Sequence, residues 1–402
     1  MEKTNEQAKG LNTFGYFILI ILAIIGLFAT VVRFSKGLMV THLTQNVPWG
    51  FWVALYIYCI GLSAGSFLLS TLIYVFGMKK LEASGRMALF QAFGCMLLAI
   101  WLILVDLGHP ERFYKVLTSW NYTSILAWEA MIYTIYVVVI LGEIYFAMRP
   151  YFYKKQTGRD LPQDAISAGM KWLFILGLIG IPVAIGVHGG TGAIFAVAKA
   201  RPNWFGGLFP ILFLVSALAS GGGLLTFLTA VTSKQPKEEK EKLVQSLARL
   251  TVGFVALDFL LLSSEILVTF YGGVPHEVTG WRLTLFGPFW WVFWFVQLGL
   301  GVVVPVLIII GRETGCSISW LGLSGFLVAL GVIGTRMNIV IPPLIQPAFN
   351  TLPQAYNHVR FAYGYFPSWN EWLLGFGWMA IALLILALAN KVLPLEARKE
   401  DA

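Results

Sequence analysis

The chain has 402 residues, of which 58% are hydrophobic and 12% charged, about half the ~25% charged share of a soluble domain. Its net charge of +8 does not point to nucleic acid, because the basic residues sit in short connections between apolar stretches. Cys59, Cys95 and Cys316 are scattered without a CxxC, which excludes an iron–sulfur cluster held by this chain.

Ten apolar stretches follow one another at about 13–32, 50–77, 87–107, 123–147, 168–187, 206–232, 247–272, 286–310, 317–340 and 370–390. Each offers the ~20 residues at ~1.5 Å rise that a hydrocarbon layer of ~30 Å requires. The first lacks a small-x-small cleavage site and reads as a retained span. The predicted fold is therefore an all-α integral membrane protein of about ten transmembrane helices. With a cytoplasmic amino terminus, 19 of the 28 basic residues fall on the inner side. That places both termini in the cytoplasm. All five histidines (His42, His109, His188, His276 and His358) then fall outside, in loops or at span ends. Paired mid-membrane ligands for a b-type haem are missing, so any redox role would need electrons delivered by another subunit.

Leu62, Gly65, Leu68, Leu69 and Leu72 of the second span recur 156 residues later as Leu218, Gly221, Leu224, Leu225 and Leu228 of the sixth. A shift of four helices preserves direction, which predicts two four-helix bundles in parallel repeat with flanking helices. The chain then divides into a peripheral first helix (1–48), a first bundle (49–190), a second bundle (204–341), and an outer loop with the last helix (342–402). Within this plan, 341–369 holds five of the 17 prolines with few charges and should fold against the protein or a partner. The string His188 to Phe195 reads as a structured turn. No Lys-Ser/Thr follows it and no strand precedes it, so it is not a phosphate loop.

Ionisable residues inside spans are costly and mark functional candidates. Glu129 lies about six residues, ~9 Å, below the outer boundary of the fourth span, flanked by Ala127-Trp128 and Ala130-Met131. Asp106 closes the third span, with His109, Glu111 and Arg112 in the turn beyond; a structural Asp106–Arg112 ion pair is the plainer reading there. His188 caps the fifth span. Tyr56 and Tyr58 lie in the outer half of the second, Glu265 in that of the seventh, and Arg336 in that of the ninth. Asp258 is near the midplane, and Glu143, towards the inner end of the fourth, is expected to snorkel to water. Asp258 and Glu265 share a helix face ~10 Å apart, a spacing that suits either proton transfer or bonding to neighbouring helices. An acid, a histidine, tyrosines and an arginine near one membrane face fit a quinone site, and they equally fit an ion or small-anion transporter.

Several strings narrow this choice. Pro48-Trp-Gly-Phe-Trp-Val-Ala54 and Gly61-Leu-Ser-Ala-Gly65 are followed by Asp106-Leu-Gly-His-Pro-Glu-Arg-Phe113 and Ser124-Ile-Leu-Ala-Trp-Glu-Ala130. Together they resemble the NrfD-like family of polysulfide reductase membrane subunits. The string His188-Gly-Gly-Thr-Gly-Ala-Ile-Phe195 is most similar to the branch with the hydrogenase-2 subunit HybB and the sulfite-reduction subunit DsrP. The resemblance implies a subunit in a prokaryotic cytoplasmic membrane that exchanges electrons between menaquinone or ubiquinone and an extracytoplasmic, ferredoxin-like iron–sulfur protein. Further catalytic or cytochrome subunits are implied as partners, with membrane lipids around the chain. No haem, flavin, metal or cluster is expected in the chain itself. By position, Glu129 would handle protons, with Asp106 and His188 as further catalytic candidates. Tyr56, His109, Arg112, Trp128 and Tyr133 would contact the quinone, while Asp258, Glu265, Arg336 and Glu143 would form a proton path. Tyr56 stands where the polysulfide reductase branch has a histidine, and a phenol donates a hydrogen bond but does not act as an imidazole.

Overall fold

In hydrocarbon an unpaired amide finds no water, so each crossing must satisfy its backbone internally, as a helix does. The computed structural model describes residues 13–349, 351–355 and 358–396; both chain ends, on which part of the orientation count rests, lie outside the described residues. Among the described residues ten helices are long and apolar enough to cross a membrane, and no strand occurs. The ten are α1 (Thr13–Lys36), α2 (Phe51–Tyr74), α3 (Gly85–Asp106), α4 (Ile125–Thr157), α5 (Gln163–Ala196), α6 (Phe209–Thr232), α7 (Lys237–Gly272), α8 (Val292–Ile310), α9 (Ile318–Ile345) and α10 (Trp369–Val392). Left-handed glycines stop two of them: Gly158 after α4 (φ +70) and Gly273 after α7 (φ +67), where a Cβ would be strained.

The helices form two bundles. In the first, α2 packs on α3 and α5, and α4 packs on α3 and α5; in the second, α6 packs on α7 and α9, and α8 on α9. Contacts between bundles come in matching pairs, α5 with α6 and α9 with α2, around a central seam of α2 against α6. The repeated glycines make that seam. A Cβ on Gly65 would lie 1.9 Å from the Ala217 carbonyl oxygen, and one on Gly221 would lie 2.5 Å from the Ser66 nitrogen. Bare backbone on both sides allows this approach, and in lipid such close packing is a main source of helix association. α1 and α10 pair outside the bundles through Gly26 and Gly377, where a Cβ on Gly26 would stand 2.6 Å from the other Cα.

Several sequence expectations need correction. The segment from His188 to Phe195 is the last part of α5 rather than a turn, and His188 is an interior helical residue, not a cap. Its glycine at 192 serves close packing: a Cβ there would meet the Pro210 Cα at 2.8 Å. α9 runs on to Ile345 through Pro342 and Pro343, five residues beyond the predicted end. The eighth span starts at Val292, and residues before it form a separate short helix, Pro275–Phe286. The described part of the loop after α9 is tied to the segment before α2: Gln45 N donates to Arg360 O at 2.9 Å, Asn46 Nδ2 to Phe361 O at 2.5 Å, and Thr44 Oγ1 to Ala362 O at 2.8 Å.

Candidate functional site

Two faces follow from this arrangement. α2 begins on a face that also carries His42, His109, His276 and His358, here called the histidine face. The connections α2–α3, α4–α5 and α6–α7, rich in Lys and Arg, form the opposite, basic face.

Glu129 enters α4 one turn after the N-cap Ser124, whose Oγ accepts from Ala127 N at 3.4 Å. The carboxylate is 3% exposed. Its Oε1 accepts hydrogen bonds from Tyr133, one turn on, and from Thr191 of α5. Tyr133 and Tyr56 of α2 bond hydroxyl to hydroxyl at 2.8 Å. With the Tyr133 proton directed at Glu129, Tyr56 is the donor to Tyr133, giving a directed series from Tyr56 through Tyr133 to Glu129. Tyr133 is the half-buried member of the group. Three helices of one bundle thus bring Tyr56, Tyr133, Glu129 and Thr191 together; Thr191, hidden in the apparent turn, is the member the sequence did not flag.

His188 is fully buried and faces the seam. Gly61 makes room for it: a Cβ there would be 3.1 Å from Nε2. Arg336 Nη2 donates to His188 Nε2 at 3.0 Å and to Ser216 Oγ at 2.5 Å. Arginine only donates, so Nε2 is the acceptor and the ring proton belongs on Nδ1. The Arg336 guanidinium carbon also sits 4.4 Å from the Phe213 ring centroid, a cation–π contact. A cavity of about 70 Å³ adjoins, lined by Arg336, Ser216, Asp258, Glu265, Gln297 and Asn338 among others. This polar space is large enough for a few water molecules, and it unites the three residues expected to form a proton path in the second bundle.

Other candidates lie elsewhere. Asp106 does not pair with Arg112. Its charged neighbours are Arg33 and Glu371, at the junction of α1, α3 and α10. Arg33 Nε donates to Val105 O at 2.8 Å and Nη2 to Leu107 O at 2.7 Å, so it satisfies carbonyls at the end of α3 that the helix cannot. Glu371 closes a capping box with Ser368 at the start of α10 and accepts from Tyr365 at 2.5 Å. Burial, then the Glu371 carboxylate, pushes the Tyr365 phenol well above its ordinary range. Arg112 and His109 are exposed and both engage Glu111, at 3.6 and 3.0 Å. Its own backbone amide, then His109, holds the Glu111 carboxyl below the usual range. Trp128 is 46% exposed and donates to Tyr122 O at 2.9 Å.

Glu143 does not snorkel. It is 0% exposed, and neither carboxylate oxygen has a hydrogen-bond partner among the described residues. Gly177 of α5 leaves the space it occupies; a Cβ there would be 3.7 Å from Oε1. Because α4 advances 100° per residue, Glu129, Tyr133, Tyr136 and Glu143 form one stripe down its inner face. Tyr136 is fully buried and bonds Ser63 at 3.1 Å.

Residues 39–348, from just before α2 to just past α9, match the family model described as polysulphide reductase, NrfD. The chain is 38% identical to a subunit of the selenate reductase of Mesobacillus selenatarsenatis, across 96% of this chain and 95% of that protein. It is 30% identical to the Hdr-like menaquinol oxidoreductase integral membrane subunit of Archaeoglobus fulgidus, across 94% and 93%. With one polypeptide of the polysulfide reductase of Wolinella succinogenes it shares 26% identity, across 74% and 94%.

Proposed function

We propose that this chain, which belongs to the polysulphide reductase NrfD family, is the quinone-reactive membrane subunit of a respiratory oxidoreductase complex. It would exchange electrons between a menaquinone or ubiquinone pool and an iron–sulfur protein docked on the histidine face, with further catalytic or cytochrome subunits beyond. The names of the selenate, polysulfide and menaquinol relatives support this class of complex. The orientation favoured by the Lys and Arg distribution puts the histidine face outside a prokaryotic cytoplasmic membrane.

The observation that carries the proposal is the buried Glu129 carboxylate at the end of a tyrosine relay. Oxidising a quinol to a quinone releases two electrons and two protons, and reduction takes up the same. A quinol hydroxyl that donates to Tyr56 lets one proton move to Glu129 in a single relay: Tyr56 passes its own to Tyr133, and Tyr133 passes its own to the carboxylate. The electrons leave to the docked cluster. Glu129 would then release its proton before the second is taken. The cavity that joins Asp258, Glu265 and Arg336 supports proton movement in the second bundle, and it is the observation that favours the alternative of an ion or proton transporter without redox function.

Quinol-linked turnover of the complex, purified with its partner subunits, separates the two. The Tyr56→Phe/Tyr133→Phe double variant should lose at least about tenfold in quinol turnover, while activity with a soluble dye that bypasses the membrane subunit stays at wild-type level. Turnover within twofold of wild type would leave only the transporter or a bare anchor.

A further inference from the structure

On the basic face a groove of about 750 Å³ opens between α4 and α5 of the first bundle and α7 of the second, within the ~300–1,000 Å³ of ligand pockets. Lys79, Lys80, Arg86, Arg149, Lys242 and Arg249 line it against only two carboxylates, Glu82 and Glu239. Lys79, Lys80, Lys242 and Arg249 are exposed, and Arg149 is half-buried. Below this rim the lining turns apolar, with Phe146 from α4, Met170 and Leu173 from α5, and Leu243 from α7. Leu173 is ten residues into α5, ~15 Å along the helix, which carries the apolar floor into the hydrocarbon layer.

We propose that this groove binds an anionic phospholipid, its phosphodiester among the cations and an acyl tail along Phe146, Met170 and Leu173. Charge complementarity selects the headgroup. Lys242 is already paired with Glu238 at 2.6 Å, which leaves a three-charge excess of cations, and a zwitterionic lipid would bring a cationic ammonium into that cluster. A free phosphate would satisfy the rim and leave the apolar floor facing water. Basic pockets between transmembrane helices on the cytoplasmic side suit anionic headgroups for these reasons. A lipid seated here touches both bundles and holds them together on the side opposite the quinone-reactive residues.

The test is the thermal unfolding midpoint of the detergent-purified full chain, titrated separately with dioleoylphosphatidylglycerol, dioleoylphosphatidylcholine, inorganic phosphate and menaquinone. Phosphatidylglycerol should raise the midpoint and the others should not. Lys80→Gln, Arg149→Gln and Arg249→Gln should each weaken the phosphatidylglycerol response about fivefold, and the triple variant should abolish it. Lys80→Gln, at an exposed turn position, keeps the test decisive if the triple variant does not fold. An equal shift with phosphatidylcholine, or one matched by phosphate, overturns the proposal, as do single variants that retain wild-type affinity within twofold. A menaquinone shift that the variants remove, without any phosphatidylglycerol shift, assigns the groove to quinone instead.

Discussion

Glu129→Gln separates the chemistry of the site from its architecture. Both hydroxyls that bond this side chain, Tyr133 and Thr191, reach the same oxygen, Oε1. A glutamine with its carbonyl oxygen in that place accepts both bonds and keeps the volume, so the fold should lose less than about 1 kcal/mol. What disappears is the capacity to take and release a proton. General acid–base groups contribute about 10²–10⁴-fold, or about 3–5 kcal/mol of barrier. Single-turnover quinol oxidation by the assembled complex, followed at the partner's clusters, should slow by that factor with the melting temperature unchanged. Glu129→Asp is the control. It retains the acid but withdraws it by one methylene, ~1.5 Å, and should fall between wild type and glutamine. A glutamine variant within twofold of the wild-type rate, or an aspartate variant slower than the glutamine, would refute a proton-handling role for this carboxylate.

The seam between the bundles gives further tests. Arg336→Met leaves the neutral acceptors Ser216 and His188 without their donor and should cost about 1–3 kcal/mol, seen as a lower unfolding midpoint; Arg336→Lys should recover only part, because an ammonium lacks the planar fork. Gly65→Ala must drive α2 from α6 to relieve a 1.9 Å backbone contact, so folded protein should not be recovered from membranes. Gly189→Ala meets nothing within 4 Å and should be neutral or stabilising by about 0.5–1 kcal/mol; marked destabilisation would refute the helical course of α5 there. Tyr365→Phe removes the acceptor of Phe51 N (2.8 Å) and a donor to Glu371, at about 1–3 kcal/mol. Since the folded state holds the Tyr365 phenol above its ordinary pKa, its stabilisation is complete below about pH 10 and declines as pH rises further. The stability gap between wild type and Tyr365→Phe should therefore narrow above pH 10 in chemical unfolding.

Ten crossings were legible because a lipid solvent demands long apolar helices, and the repeat was legible because close packing demands glycine at matched positions of α2 and α6. Glu129 was likewise visible as a polar residue inside an apolar span, whereas Tyr133 entered only through the resemblance. The turn assigned to His188–Phe195 failed for a physical reason: three glycines in five residues break helices in water, whereas in a bundle they mark where another backbone comes close, as Pro210 does to Gly192. Asp106 and Arg112 looked paired because they are near in sequence. The true neighbour of Asp106, Arg33, comes from a helix more than seventy residues away, and no periodicity encodes that docking. Glu143 was misjudged because depth along a helix says nothing about which face is turned inward.

One turn of α5 carries both Thr191, a donor to Glu129, and His188, the acceptor of Arg336. The two polar groups, one in each bundle's territory, therefore share one helix, and we expect a change at one to reach the other through α5. Thr191→Val removes a hydroxyl at nearly constant volume, and Arg336→Lys weakens the other contact while keeping the charge. Independent sites add within ~0.3–0.5 kcal/mol, whereas coupled ones deviate by ~0.5–3 kcal/mol. The double variant's quinol turnover, converted to activation free energy, should deviate from the sum of the single variants by at least about 0.5 kcal/mol. Additivity within the smaller limit would mean that α5 serves the two groups separately.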